Sequence, residues 1–366
     1  EWRDDSHLIG RKDVLMKEMI KNVYLITGAA GHLGSTIASQ LIAKDCEVYG
    51  LILPGEAFKS KHLGVHYVVG DVCKPETLDE LFEAAGPDPI VIHTAGIISI
   101  AAEVSDQLYE VNVNGTKNVI EACKKYGVKR LVYVSSVHAI KELPKGQTIA
   151  ETDSFDPEEV VGGYARTKAM ATRAVLDAAN EGLDAVVVHP SGIIGPGDPG
   201  NNHIVQLIKG IVNGTLPAVV NGGYDFVDVR DVAKGCIDAA KFGKSGDCYV
   251  LSGHYSPVSD LCNVASEAAH RRKLPVLPMW LAKSAAPLIE KTAVAFKKRP
   301  LYTPYSLYTL DGNGNFSHEK ATKTWGYEPR SLEETVIDTV RYLKMQPTLA
   351  KFGRRHGFRK PLASRF

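Results

Sequence analysis

Asn22-Val23-Tyr24-Leu25-Ile26-Thr27-Gly28-Ala29-Ala30-Gly31-His32-Leu33-Gly34 decides how the rest of the chain is read. Its first half is a short apolar and aromatic run, which suits a strand covered on both faces. A glycine turn follows, and residues from about His32 to Lys44 have helical spacing. At such a junction Gly28 permits the tight turn, Gly31 lets backbone come close to a pyrophosphate, and Gly34 lets the helix pack on the strand. The free N–H groups of the helix N-terminus then serve the phosphates. Glycines alone would describe any turn. The strand before them and the helix after them favour a dinucleotide site.

Working outward, strand and helix keep alternating. Val48 to Leu53 and Val65 to Gly70 read as strands, Leu78 to Ala85 as a helix and Pro89 to His93 as a strand. Residues 103 to 126 have helical periodicity, Arg130 to Ser135 form an apolar strand, Gly163 to Glu181 a helix and Ala185 to His189 a strand. This rhythm predicts an α/β fold with a doubly wound parallel Rossmann sheet. It loosens after Pro190, where Ser191 to Gly200 reads as a loop. Asp247 to Leu251 returns to the sheet, and helices are expected over 258–270, 279–297 and 331–345. The predicted organisation is an extension over 1–20, a Rossmann domain over 21–190 with 226–252 returning to it, a smaller, mostly helical substrate lobe over 191–225 and 253–345, and a basic tail over 346–366. That tail carries Arg354, Arg355, Arg359, Lys360 and Arg365, and reads as a solvated end.

Among 366 residues, 43 Lys and Arg face 42 Asp and Glu, for a net charge of +1. Such a balance argues against nucleic acid as partner and points to a small-molecule substrate. The six cysteines form no CxxC pair, so neither zinc nor a disulfide framework is expected. A reducing compartment, the cytoplasm, fits that usage, and no transmembrane segment is apparent. His93, His138, His189, His203 and His254 show no metal-ligand spacing, and no metal is expected.

Tyr164 and Lys168 stand four apart on the helix beginning at Gly163 and so share one face. A phenol titrating near ~10 is a poor base at neutral pH, but a nearby ammonium favours the phenolate. Such a pair can take a proton from an alcohol as hydride leaves the same carbon. Alone, the spacing describes an ordinary helix face. Ser136 ends the strand before it, where a hydroxyl can hold a substrate oxygen, while Ser135 reads as a turn serine. Asn112 sits mid-helix, a poor place for Asn without a purpose, and is expected to bind a backbone group or a water near the lysine.

These marks, in order, resemble the extended short-chain dehydrogenase/reductases of the NAD-dependent epimerase/dehydratase superfamily. They are the Gly28 to Gly34 turn, Gly70-Asp71-Val72, His93-Thr94-Ala95-Gly96, Val111 to Thr116, Ser136, Tyr164 with Lys168, and Val229-Arg230-Asp231-Val232-Ala233. The resemblance spans about 20 to 345. It implies a cofactor held by Gly28, Ala30, Gly31, His32, Leu33, Gly34, Asp71, Val72, Thr94, Ala95, Gly96, Tyr164, Lys168 and Pro190, with Ser136, Tyr164, Lys168 and Asn112 catalytic. Val91 to Ile98, Arg299 to Thr303 and Phe316 to Ala321 are similar to the 3β-hydroxysteroid dehydrogenase branch, and the stretch around Arg230 to dihydroflavonol and cinnamoyl reductases. These relatives act on bulky, mostly apolar secondary alcohols and carbonyls, and the superfamily often pairs through the helices flanking the tyrosine, which implies a homodimer. The cofactor is NAD or NADP. Leu51-Ile52-Leu53-Pro54 carries neither an acidic nor a basic selector, with Glu56 close enough for a ribose and Lys59 and Lys61 for a phosphate, and NAD is preferred.

Two other functions compete. A nucleotide-sugar epimerase would use the same tyrosine, but Tyr224 stands where those enzymes carry a diphosphate-binding arginine, and Val188-His189-Pro190 replaces their Arg-Tyr-Phe. A dinucleotide-sensing protein without activity would have no need of Tyr164 and Lys168. Three further features stay open. Asp231 reads as a helix N-cap. Trp280, Leu281, Leu288, Ile289 and Phe296 read as a lid, a membrane-docking face or an ordinary packed helix. The acidic stretch between His138 and Gly163 reads as a gate or a solvated loop.

Overall fold

The computed structural model describes residues 22–56, 62–199, 202–286 and 303–346. The extension, Lys59 and Lys61, Leu288, Ile289, Phe296, Arg299 to Tyr302 and the basic tail from 347 lie outside the described residues. Seven parallel strands form the main sheet: β1 (Val23–Thr27), β2 (Glu47–Ile52), β3 (Val65–Val69), β4 (Ile90–His93), β5 (Arg130–Val134), β6 (Ala185–Pro190) and β10 (Cys248–Leu251). Their spatial order is β3-β2-β1-β4-β5-β6-β10. The chain therefore reverses direction between β1 and β4, which opens a crevice at the carboxyl edge.

Strand alternation builds two cores. Leu25, Leu51, Val91, Leu131, Tyr133 and Val187 face the helices Glu76–Ala85, Gly115–Tyr126 and Gly163–Asn180. Tyr24, Ile26, Val48, Ile92, Val132 and Val188 face the helices His32–Ile42 and Val229–Phe242. Both faces are dry, which is why the strands read as continuous apolar runs.

A three-stranded sheet orders β11 (His254–Pro257), β9 (Gly223–Asp228) and β7 (Gly192–Ile194). A short parallel ladder pairs β8 (Val219–Val220) with β12 (Val276–Leu277). Part of the expected Ser191 to Gly200 loop is therefore a strand, its ladder supplied by β9 far along the chain. Residues 226–228 lie in β9, so the return to the main sheet begins with the helix at Val229 rather than at 226. A separate core joins the helices His203–Asn213, Val258–Ala268 and Leu332–Met345. The helix Glu319–Trp325, expected in the lobe, instead puts Ala321 and Trp325 against the main-sheet core. Asp228, not Asp231, is the N-cap of Val229–Phe242, accepting from Arg230 N at 2.8 Å. Asp231 receives Arg330 at 2.9 Å instead.

Candidate active site

Gly28 follows β1 with φ +70, and a Cβ there would lie 2.9 Å from Ala95 N, so the turn tolerates no side chain. At Gly34 a Cβ would stand 2.3 Å from Gly28 O, the close approach that seats the helix on the turn. Gly31 differs. Among the described residues, the Gly28 carbonyl, at 3.1 Å, is the one neighbour a Cβ would meet. Gly31 is also the N-cap of His32–Ile42, whose first turn carries no side-chain cap and no acidic residue. Bare N–H groups behind an open glycine fit a dinucleotide diphosphate.

The crevice floor is cross-linked. Thr27 Oγ1 meets His93 Nδ1 at 2.6 Å, and His93 Nε2 meets Thr116 Oγ1 at 3.0 Å. Thr94 Oγ1 donates to Thr27 O at 2.7 Å and Ala95 N to Thr27 Oγ1 at 3.2 Å. The expected continuous helix over 103–126 is interrupted. Asp106–Tyr109 leads into a wide π turn, Glu110–Asn114, before Gly115–Tyr126. That turn carries Asn112, whose amide brackets the Ile97 backbone: Ile97 N donates to Oδ1 at 2.8 Å and Nδ2 donates to Ile97 O at 3.0 Å. Asn112 Nδ2 also reaches Thr167 Oγ1 at 3.1 Å, on the helix of Tyr164. A Cβ on Gly96 would stand 3.3 Å from Asn112 Oδ1 and 3.5 Å from Lys168 Nζ, so the lysine lies beside this bracket.

Lys168 is buried and donates to Val134 O at 2.8 Å and Tyr133 OH at 3.3 Å. Burial pushes its ammonium down to about 7. Burial also pushes the Tyr164 phenol up to about 12, opposed by a hydrogen bond with Ser136 and reinforced by Tyr305. The expected lowering of the phenol by the lysine is thus reversed here. Both groups lose water, and the ammonium is turned onto β5 rather than onto the phenol. Ser136 Oγ accepts from His138 N at 3.2 Å, while Ser135 bonds Thr172 at 2.7 Å within the core.

The remaining expected contacts are less uniform. Leu33 and Val72 are buried, Ala30 is partly so, and Asn118 holds the Val72 carbonyl at 2.8 Å. Asp71 accepts from Cys73 N at 3.0 Å, and Pro190 closes β6 at the crevice. The His32 side chain turns away from the diphosphate site, its Nε2 bonding Pro196 O at 3.0 Å. Glu56 accepts from Leu53 N at 3.1 Å, at the end of β2.

Sequence reasoning missed the wall above Tyr164. His138 Nε2 meets Tyr224 OH at 2.9 Å, their rings stacked at 5.7 Å, and the imidazole lies edge-on to Tyr164 at 6.2 Å. Burial pushes His138 down to about 4, so the wall is neutral. The acidic stretch that precedes Gly163 is tied down at Glu142 and Glu151, while Asp153, Asp156, Glu158 and Glu159 are exposed as in a solvated loop. Glu142 accepts from Asn313 N and Tyr308 OH, and Glu151 from Val250 N. An open cleft of about 330 Å³ beside Tyr255 and Asn313 includes none of Ser136, Tyr164 and Lys168, so the reacting groups rather than that hollow locate the chemistry.

Among the described residues, no cluster of three or more His, Cys, Asp or Glu is arranged for a metal, and no helix is long and apolar enough to cross a membrane. A family model for the NAD dependent epimerase/dehydratase family matches residues 24–252. Sterol-4-alpha-carboxylate 3-dehydrogenase erg26, decarboxylating, of Schizosaccharomyces pombe is 31% identical over 357 residues, covering 89% of this chain and 98% of that protein. 3 beta-hydroxysteroid dehydrogenase type 7 of Mus musculus is 29% identical over 362 residues, covering 88% and 95%. The structure of the Thermus thermophilus UDP-glucose 4-epimerase in complex with NAD shares the fold with a TM-score of 0.70 at 23% identity, covering 88% of this chain and 99% of that one.

Proposed function

The chain belongs to the NAD dependent epimerase/dehydratase family, and from that premise we propose that it interconverts a secondary alcohol and a ketone on a bulky, sterol-like substrate. It is an NAD(P)-dependent oxidoreductase of the extended short-chain dehydrogenase/reductase type. The bound dinucleotide supplies the hydride acceptor or donor. Gly28, Gly31 and the following N–H groups hold its diphosphate, Thr94 to Gly96 line the crevice, and Lys168 serves the nicotinamide ribose. Tyr164 carries the proton at its hydroxyl oxygen, and Ser136, hydrogen-bonded to it, positions the substrate oxygen. With its phenol protonated at neutral pH, Tyr164 is a ready donor to a carbonyl oxygen as hydride reaches the carbon. Oxidation runs the same transfer backwards. Asn112 fixes the Ile97 segment beside Lys168.

The observation that carries this reading is Ser136, Tyr164 and Lys168 gathered at the carboxyl edge beneath an uncharged aromatic wall. Two readings of the substrate are separated by that wall. A sugar nucleotide needs cations for its diphosphate, whereas Tyr224 is bonded to a neutral imidazole and lies near Asp225 and Glu142. The Glu56 carboxylate at the end of β2 supports NAD through a ribose hydroxyl.

The test mixes the purified chain with NAD or NADP and a panel of hydroxysteroids, flavonoid-like ketones, aromatic aldehydes and UDP-sugars. Net reduced cofactor with a hydroxysteroid is the expected result. Sugar inversion without net cofactor change would replace the reading with an epimerase. Binding of dinucleotide without any turnover would favour a sensor.

A further inference from the structure

His32 follows the diphosphate turn directly, yet its side chain points elsewhere. Its Nε2 lies 3.0 Å from Pro196 O, and since a carbonyl can only accept, Nε2 carries the hydrogen. Nδ1 is then a lone-pair acceptor, buried and without a hydrogen bond among the described residues. The Gly195 carbonyl and the carboxylates of Asp198 and Asp228 also surround the ring. The chain at Gly195 packs closely against the start of the helix Val229–Phe242, where a Cβ would meet Val229 Cγ1 at 2.7 Å.

Pro196 belongs to the segment that leaves β7 for the lobe. Asn202 binds this segment together: its N donates to Asp198 at 3.3 Å and its Nδ2 to Ile193 O at 2.6 Å. Asn202 Oδ1 in turn caps the helix His203–Asn213 through Ile204 N at 2.9 Å and Val205 N at 3.2 Å. That helix supplies Val205, Leu207, Ile208 and Ile211 as its buried face. At its other end, the helix of His32 is held by Gln40 donating to Arg230 O at 2.8 Å. Hydrogen bonds from His32 to Pro196 and from Asn202 to Asp198 therefore meet in the 195–199 segment, between the start of the diphosphate helix and the first helix of the lobe.

We propose that His32 is a positioning residue that couples occupation of the diphosphate site to the setting of the 195–199 segment and the helix His203–Asn213. The proposal rests on the dinucleotide reading above but adds to it: cofactor binding at the diphosphate turn orders the first helix of the lobe. Coupling of this kind is reciprocal, so substrate bound under the lobe tightens the dinucleotide by the same factor.

The experiment is hydrogen–deuterium exchange on the full chain, with and without saturating NAD, for the wild type, His32→Phe and His32→Gln. In the wild type, NAD slows exchange at residues 28–35 and also, by about fivefold or more, across 203–213. His32→Phe keeps a ring but no donor. It is expected to retain protection at 28–35 and lose it across 203–213, while His32→Gln, which keeps a donor, recovers part of it. Protection across 203–213 that persists in His32→Phe overturns the proposal. So does a wild type in which NAD protects 28–35 alone, an outcome that leaves the dinucleotide reading intact and does not depend on either variant folding. Absence of protection at 28–35 in the wild type would overturn the reading itself.

Discussion

The floor and the wall of the crevice are built on opposite plans. On the floor, Thr27, His93, Thr116, Asn112 and Thr167 hand hydrogen bonds from one element to the next, across β1, β4 and two helices. On the wall, the His138 and Tyr224 rings stack on each other and His138 stands edge-on to Tyr164, so that contact is largely by face and edge. A fixed polar lattice suits a ligand that is the same in every turnover. Rings with few fixed polar partners suit a rigid apolar body held mainly by burial, at about 25 cal/mol per Å² removed from water.

The strongest way to break this division is at their meeting point. Tyr164→Phe removes the hydroxyl proposed to carry the proton, and should lower hydride transfer by about a hundred- to ten-thousandfold, followed by nicotinamide absorbance. NAD affinity, measured by calorimetry, should stay within a few-fold. Substantial turnover in the variant would remove Tyr164 from the chemistry.

A sharper test lies within the floor. Gly34→Ala drives a methyl against Gly28 O and should cost about 1–3 kcal/mol of unfolding free energy. Gly31→Ala meets, among the described residues, only one carbonyl and should cost less than about 1 kcal/mol, yet weaken NAD roughly tenfold by filling the cradle. If both variants lose stability equally and bind alike, Gly31 does not face the diphosphate.

The smallest effect concerns pH. Burial pushes His93 down to about 3 and His138 and His189 to about 4. Between those values and about 6.5 the unfolded chain binds more protons, so stability rises with pH and is lost on acidification. Asp225, pushed by burial up to about 6, acts with the opposite sign above its unfolded value near 3.8. Denaturant midpoints from pH 7 to 4.5 should therefore fall, and His189→Asn should flatten that fall by one group's share. An unchanged slope would mean that His189 is not held neutral.

What the sequence made legible was whatever is local. The glycine turn announces itself because strand, turn and helix are contiguous, and Tyr164 with Lys168 because a helix puts i and i+4 together. Parallel strands were visible as dry runs such as Val186-Val187-Val188. The missed features depend on partners far along the chain. Gly192–Ile194 is a strand only because β9 pairs with it, and Asp231 loses the capping role to Asp228 because Arg330 claims it. His138 and Tyr224 meet across the site although they stand 86 positions apart in the chain. The direction in which Tyr164 shifts was misread for the same reason: proximity to Lys168 is written in the sequence, but the desolvation of both is not.

The wide turn Glu110–Asn114 has one more consequence. An extra residue per turn rotates everything beyond it by roughly a quarter revolution relative to a regular α-helix. Upstream, Leu108 points inward; downstream, Val119, Ile120 and Cys123 do so from a shifted angle. Only by slipping phase between them can one rod keep both stripes dry and still thrust an amide sideways toward Ile97. Shortening the segment by a single position would force a choice between those duties, so insertions and deletions should be tolerated far less there than substitutions.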